Sequence, residues 1–170
     1  MNFVNNDRVY KYLVEDILNN SEFSELSNIA HHGETRLEHS LKVSYYSYRI
    51  SKFLKLDYEG TARAGLLHDF YLDRTVDYKK FRQKVKLYTT GHPKDALENA
   101  SRLFDLSEKE KDIIKTHMFP IDFRIPKYLE GWIVNIVDTG VSISEFTKKF
   151  SYQFDTALNL WLILIMNFRR

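Results

Sequence analysis

Three prolines and six glycines are all the backbone punctuation that these 170 residues carry. A sandwich or barrel needs turn signals every 8–12 residues or so. Long uninterrupted stretches with apolar side chains three and four apart build helices instead. Val9, Leu13, Ile17 and Leu18 share one face of a first helix that closes near Asn19 and Asn20. A short second helix is expected over 22–30. Thr35 with Glu38, and Ser107 with Glu110, have the spacing of capping boxes, and they open helices to about residues 53 and 117. Asp57 caps a helix that carries Ala62, Leu66 and Leu67 into His68-Asp69. Pro93 suits a first helical turn with His92 as its cap. Pro120 stops the helix that opened at Ser107. Two more helices, over 128–146 and 152–168, complete the pattern, and a short one over 81–87 falls in the least regular stretch. The expectation is an all-α chain of seven to eight helices with no strand. No repeat, low-complexity tract or linker divides it, so residues 1–170 read as one compact domain.

Composition narrows the chemistry. The chain has no cysteine, which excludes disulfides, thiolate nucleophiles, zinc fingers and cysteine-bound iron–sulfur clusters. Any metal must be held by nitrogen and oxygen, which directs attention to the six histidines. A net charge of +2 from 25 basic and 23 acidic residues is too balanced for a DNA-binding footprint. The first residues lack the basic and apolar blocks of a signal peptide. The longest apolar run, residues 160–166, is far short of the roughly 20 that span a bilayer. A cytoplasmic chain with no membrane partner is expected. That run, with Leu158, makes a helix over 150–170 that is apolar almost all round. Such a helix packs on its own core or against a second copy in a homodimer.

An isolated His-Asp pair means little, since chance alone gives about 0.4 such pairs at this composition. His68-Asp69, however, ends an apolar helix (ARAGLLHDF). His39 lies upstream in LEHSLKVS, and Asp138 lies downstream in NIVD. The order His39, His68-Asp69, Asp138 and the flanking segments resemble the HD-domain metal-dependent phosphohydrolases over residues 30–145. His92, in GHPKDALENA, and His117, in KTHMFP, extend the resemblance to the binuclear branches of that family. Those branches include cyclic-dinucleotide phosphodiesterases and diadenosine tetraphosphate hydrolases.

The resemblance implies two divalent transition-metal ions, iron or manganese first, with nickel, cobalt, zinc or magnesium also compatible. His39, His68, Asp69 and Asp138 would hold one ion. Asp69 would bridge to the other, with His92 and His117 completing it. A bridging hydroxide would attack the phosphorus, which gives Asp69 and His68 catalytic as well as ligand roles. The implied activity is hydrolysis of a phosphate ester of a nucleotide or small phosphorylated metabolite. Narrower or rival readings are a cyclic-dinucleotide or dinucleoside-polyphosphate hydrolase, a single-metal phosphomonoesterase, and a non-catalytic nucleotide sensor. The last is favoured by Thr139, which stands where the family often has lysine.

Around these ligands, Lys94, Arg63 and His32 are candidate substrate contacts, with a carboxylate pair as the alternative for Arg63. His31 reads as an exposed loop residue, and Glu34 either as an acceptor supporting a ligand or as a first-turn helix charge. From Arg74 to Lys94 the chain carries seven basic residues against one acid, Asp77. That stretch is expected to rim the site as a basic lid.

Overall fold

The computed structural model describes residues 6–31, 34–72 and 91–168, with side chains described through residue 151, His31 excepted. In chain order the elements are α1 (Arg8–Leu18), α2 (Ser21–Ser24), a 3₁₀ turn (Glu25–Asn28), β1 (Ala30–His31), β2 (Glu34–Thr35), α3 (Arg36–Phe53), α4 (Tyr58–Leu67), α5 (His92–Leu103), α6 (Glu108–Thr116) and α7 (Leu129–Phe168). The fold is all-α, with seven helices among the described residues. The expected helix over 81–87, most of the basic lid, and His32 lie outside the described residues.

Helix starts follow the local chemistry. Asp7 accepts from the Tyr10 amide, Asp57 from the Gly60 amide, and both capping boxes are formed. Four details differ from the sequence expectation. The helix expected over 22–30 begins at Ser21, because Asn20 caps it, and gives way to the 3₁₀ turn. Ala30 and His31 then pair antiparallel with Thr35 and Glu34, a two-residue ladder where no strand was expected. It gives the backbone groups between the 3₁₀ turn and α3 their hydrogen-bond partners. His92 is the first helical residue of α5 rather than its cap, which is Gly91. The two helices expected over 128–146 and 152–168 are one continuous helix of 40 residues. Between 146 and 152 there is no proline or glycine, and the Thr147 hydroxyl is absorbed by the Ile143 and Ser144 carbonyls of its own helix.

α3 is the central element. It packs on α4 and on α7, while α4 also packs on α1 and α6, and α5 lies on α6. Its buried stripe is small rather than greasy: Ser40, Ser44, Ser47 and Ser51 follow one another at helical spacing, all fully buried. This lets α4 come very close. The Ser44 hydroxyl accepts from Tyr10 Oη at 2.8 Å and donates to the Ala62 carbonyl at 2.6 Å. A Cβ at Gly65 would stand 3.1 Å from the Ser44 Cα. The obstacle is backbone, which cannot swing aside, so Gly65 is required for the approach. Gly65→Val is expected to lower stability by about 2 kcal/mol, since overpacked sites cost about 1–3 kcal/mol. A urea unfolding midpoint unchanged from the parent would show that α3 and α4 are less tightly apposed. Around this contact the core is completed by Tyr10, Val14, Phe23, Leu66, Phe70, Ile113 and Val134, all fully buried. Among the described residues, no helix is long and apolar enough to cross a membrane.

Candidate metal centre

Six side chains from five helices and their ends converge beside this core. His39 lies in the first turn of α3, so the capping box that fixes the helix start also fixes its position. His68 is the C-cap of α4 and Asp69 follows it. His92 opens α5, His117 is the C-cap of α6, and Asp138 lies in α7. All but Asp138 are buried, and Asp138 has a side-chain exposure of only 15%. His39, His68 and Asp69 bring one ligand atom each within 4.8 Å of one another, as do Asp69, His92 and His117, and also His68, His117 and Asp138.

Distances show how the carboxylates are shared. Asp138 Oδ1 is 2.9 Å from His39 Nε2 and 3.7 Å from His68 Nε2. Asp69 Oδ2 faces His68 Nε2 at 3.9 Å, while its Oδ1 faces His92 Nε2 at 3.5 Å and His117 Nε2 at 3.7 Å. The two oxygens of Asp69 therefore look toward different histidines.

The imidazoles are held with their Nε2 atoms turned inward. His68 Nδ1 is 2.7 Å from the Gly65 carbonyl and His117 Nδ1 is 2.7 Å from the Ile114 carbonyl. A carbonyl only accepts, so each Nδ1 carries the proton and each Nε2 keeps a lone pair. Such second bonds are how proteins orient metal-binding histidines. The His68 Nε2 is fully buried and has no hydrogen-bond partner. Its natural partner is a cation between it and the two carboxylates. The His92 and His117 Nε2 atoms lie 3.0 Å apart. That is close to the separation of neighbouring nitrogens on one ion with bonds of about 2.1 Å. The donor set of imidazole and carboxylate suits first-row transition metals. On each count the residues fit a divalent metal.

The electrostatics are those of a cluster built around positive charge. Burial works to raise the Asp69 carboxyl, but the surrounding His68, His92 and His117 outweigh it and hold Asp69 well below the usual carboxylate range. Asp138 is likewise held far down against burial by its bond to His39 and by His68 beside it. Burial opposes the charge on His39, yet the Asp138 and Glu145 carboxylates push it up to about 10. His117 goes the other way: burial, with His68 and His92 beside it, lowers it to about 3. In the absence of metal, the His39 side of the cluster holds a proton while His117 is kept neutral and ready to donate its lone pair.

A family model for the HD domain matches residues 36–139, more than half of the 170 residues. The chain belongs to the HD domain family. Its members are in general metal-dependent phosphohydrolases that bind divalent ions. The matched span opens three residues before His39 and closes one after Asp138, so all six converging residues lie inside it. No curated protein and no solved structure matches the chain.

Glu145 and Arg36, which sequence reasoning did not single out, complete this HD domain together with Asn99 of the GHPKDALENA segment. Glu145 is buried, and its Oε2 lies 3.0 Å from His39 Nδ1, on the side of the ring away from Asp138. Its other oxygen accepts from Lys42 Nζ at 3.1 Å, and Lys42 also pairs with Glu34 on β2. A signal for Glu145 existed: it follows Asp138 by seven residues, two turns along one helix face. Glu145→Gln keeps the shape but weakens the hold on His39. It is expected to loosen metal binding by 10- to 100-fold, the usual range for such outer partners. Competition with a chromophoric chelator would measure this, and unchanged affinity would remove Glu145 from the metal's support. Arg36 is fully buried, donates to the Tyr71 carbonyl at 2.6 Å and stacks 3.7 Å over the Tyr71 ring. Asn99 donates to the Phe70 carbonyl at 3.0 Å. Together they pin the backbone that follows the His-Asp pair, and so aim Asp69.

Of the three candidate substrate contacts, Arg63 is not brought to the cluster. It reaches Asp16 at 2.7 Å, Glu110 at 3.3 Å and the Leu13 carbonyl. Five residues before His68 is about 140° around the helix, and that face of α4 looks toward α1 and α6. Lys94 is exposed in the first turn of α5, two residues after His92. Thr139 is exposed, its hydroxyl bonded to the Asn135 carbonyl of its own helix, so it lies on the outer side of α7 from the cluster.

Proposed function

We propose that this HD domain holds two divalent transition-metal ions and hydrolyses a phosphate ester of a nucleotide or another small phosphorylated metabolite. The observation that carries the reading is the division of Asp69 between two groups of histidines. One ion would take His39, His68, Asp138 and Asp69 Oδ2; the other would take Asp69 Oδ1, His92 and His117. When bound, such ions activate water near neutral pH and neutralise phosphoryl charge.

The protein's own groups do the rest. The second bonds of His68 and His117 hold the inward lone pairs. Glu145 holds the His39 ring through Nδ1, which leaves Nε2 turned toward Asp138 and the proposed ion. The buried cluster keeps bulk water from screening the charges. Two carboxylates against two divalent ions leave a net positive site among neutral imidazoles, which is matched to a phosphoryl dianion. Lys94 lies two residues after His92, and its ammonium is the proposed contact for a phosphate oxygen or a second phosphate.

The test is metal analysis of anaerobically purified chain, followed by turnover of phosphate monoesters, cyclic dinucleotides and dinucleoside polyphosphates with added iron or manganese. Two ions per chain with hydrolysis of one class is the expected result. One ion per chain would favour the single-metal reading. Tight nucleotide binding without turnover in any metal form would favour a sensor.

A further inference from the structure

Helix α7 has two apolar faces. Among the described residues one is buried while the other is largely exposed, with Trp132 resting edge-on against Phe119 at 5.2 Å. Val134 and Val141 point into the core, with the buried carboxylates of Glu130 and Glu145 and the cluster residue Asp138 on the same side. On the opposite side Leu129, Trp132, Ile136, Ile143, Phe146 and Phe150 are each between 36% and 66% exposed. A single exposed hydrophobic residue needs no explanation, but a continuous stripe does.

The spacing of this stripe is regular. With Thr139 included, its positions are 129, 132, 136, 139, 143, 146 and 150, alternating steps of three and four across three heptads. This is the seam of a helix that packs on another helix by knobs into holes. The seam's one hydroxyl, on Thr139, is already satisfied: it donates to the Asn135 carbonyl at 2.9 Å. Beside the seam, the Thr147 hydroxyl turns back on its own helix in the same way.

Gly140 supplies an independent observation. It sits beside the seam in the interior of a helix, where glycine costs about 0.5–1 kcal/mol relative to alanine. A Cβ there would meet nothing within 4 Å. Among the described residues no packing calls for a glycine here, whereas the close approach of a second backbone does.

We propose that α7 pairs with α7 of a second copy of this chain along this seam, forming a homodimer. The flanks of the seam choose the partner. The flanking positions are Ile133, Asn135, Gly140, Ser142, Thr147 and Lys149, of which only Lys149 is charged. An acidic peptide or an anionic surface would find one cation there, while a copy of the same helix finds a matching repeat and almost no like-charge repulsion. The area also suffices. Six half-exposed side chains offer about 100 Å² each, the aromatic ones more. With their flanks they come near the roughly 800 Å² per partner of a standard interface. In sequence the same register continues to Leu160 and Leu164. The seam lies on the opposite side of α7 from Asp138 and Glu145, so pairing leaves the metal cluster untouched.

Sedimentation equilibrium of the full metal-loaded chain from about 1 to about 100 µM tests this. The expected mass is twice 20.3 kDa. Ile136→Glu with Ile143→Glu places unpaired charge in the seam and is expected to raise the dissociation constant at least about 100-fold. Both side chains are exposed in the single chain, so helical circular dichroism and metal per chain should stay at the parent values. Ile143→Lys alone should act in the same direction. Phe53→Glu, an exposed apolar position off the seam at the end of α3, should leave the dimer intact. A monomer at every concentration overturns the proposal. So does a dimer whose constant is unmoved by the seam variants. A monomer whose seam instead carries binding to vesicles of three parts phosphatidylcholine to one part phosphatidylglycerol also overturns it.

Discussion

Asp69→Ala is expected to give a chain that folds, binds no metal at stoichiometric level and turns over phosphate esters at least about a thousandfold more slowly. No other substitution reaches both halves of the cluster. Asp69 Oδ2 faces His68 and Oδ1 faces His92 and His117, so its loss removes a ligand from each proposed ion. The fold should survive, because the backbone around position 69 is held by Arg36 on the Tyr71 carbonyl and Asn99 on the Phe70 carbonyl rather than by the carboxylate. Asp138 remains to face the charge on His39 and the His68 ring beside it. Asp69→Asn should be milder than the alanine variant, since one oxygen is kept. Metal content per chain, circular dichroism and turnover read the three parts separately. A variant that keeps full activity would remove Asp69 from the reaction, and one that loses its helices would show the carboxylate to be structural.

The sequence was most legible where structure is local. Both capping boxes and the Asp57 cap lie within four residues of the helix starts they set, and α3, α4 and α6 begin where those residues place them. The HD family resemblance was legible for the same reason, being carried by short segments in order. Other features depend on which faces meet in three dimensions. Arg63 lies only five residues from His68 in sequence, yet it turns toward α1 and α6. Glu145 could have been found by adding two helical turns to Asp138, but only with α7 known to face α3 there. The break expected between residues 146 and 152 does not form. A helix runs on when no proline, glycine or competing side chain intervenes. The division of Asp69 between two histidine groups was implied by resemblance alone; its geometry requires α4, α5 and α6 to be brought end to end.

His92→Ala and His117→Ala are each expected to reduce the metal content from two ions per chain to one, and to lower turnover by about 100-fold or more. The two Nε2 atoms, 3.0 Å apart, form one half of a single site, so either deletion leaves the other imidazole with only Asp69 Oδ1. The remaining ion keeps His39, His68, Asp138 and Asp69 Oδ2, none of which is touched. The double variant should therefore bind as much metal as either single variant and be little slower, because residues that act as a unit are not additive. Stability should separate the two positions. His117 is fully buried and donates to the Ile114 carbonyl. Its loss leaves a cavity and an unpaired acceptor, costing about 1–3 kcal/mol in the metal-free chain. Metal counts by elemental analysis, set beside urea midpoints of the metal-free proteins, distinguish a lost ligand from a lost structural residue. Two ions per chain in all three variants would place the second ion elsewhere, while additive losses in turnover would show that His92 and His117 serve separate ends.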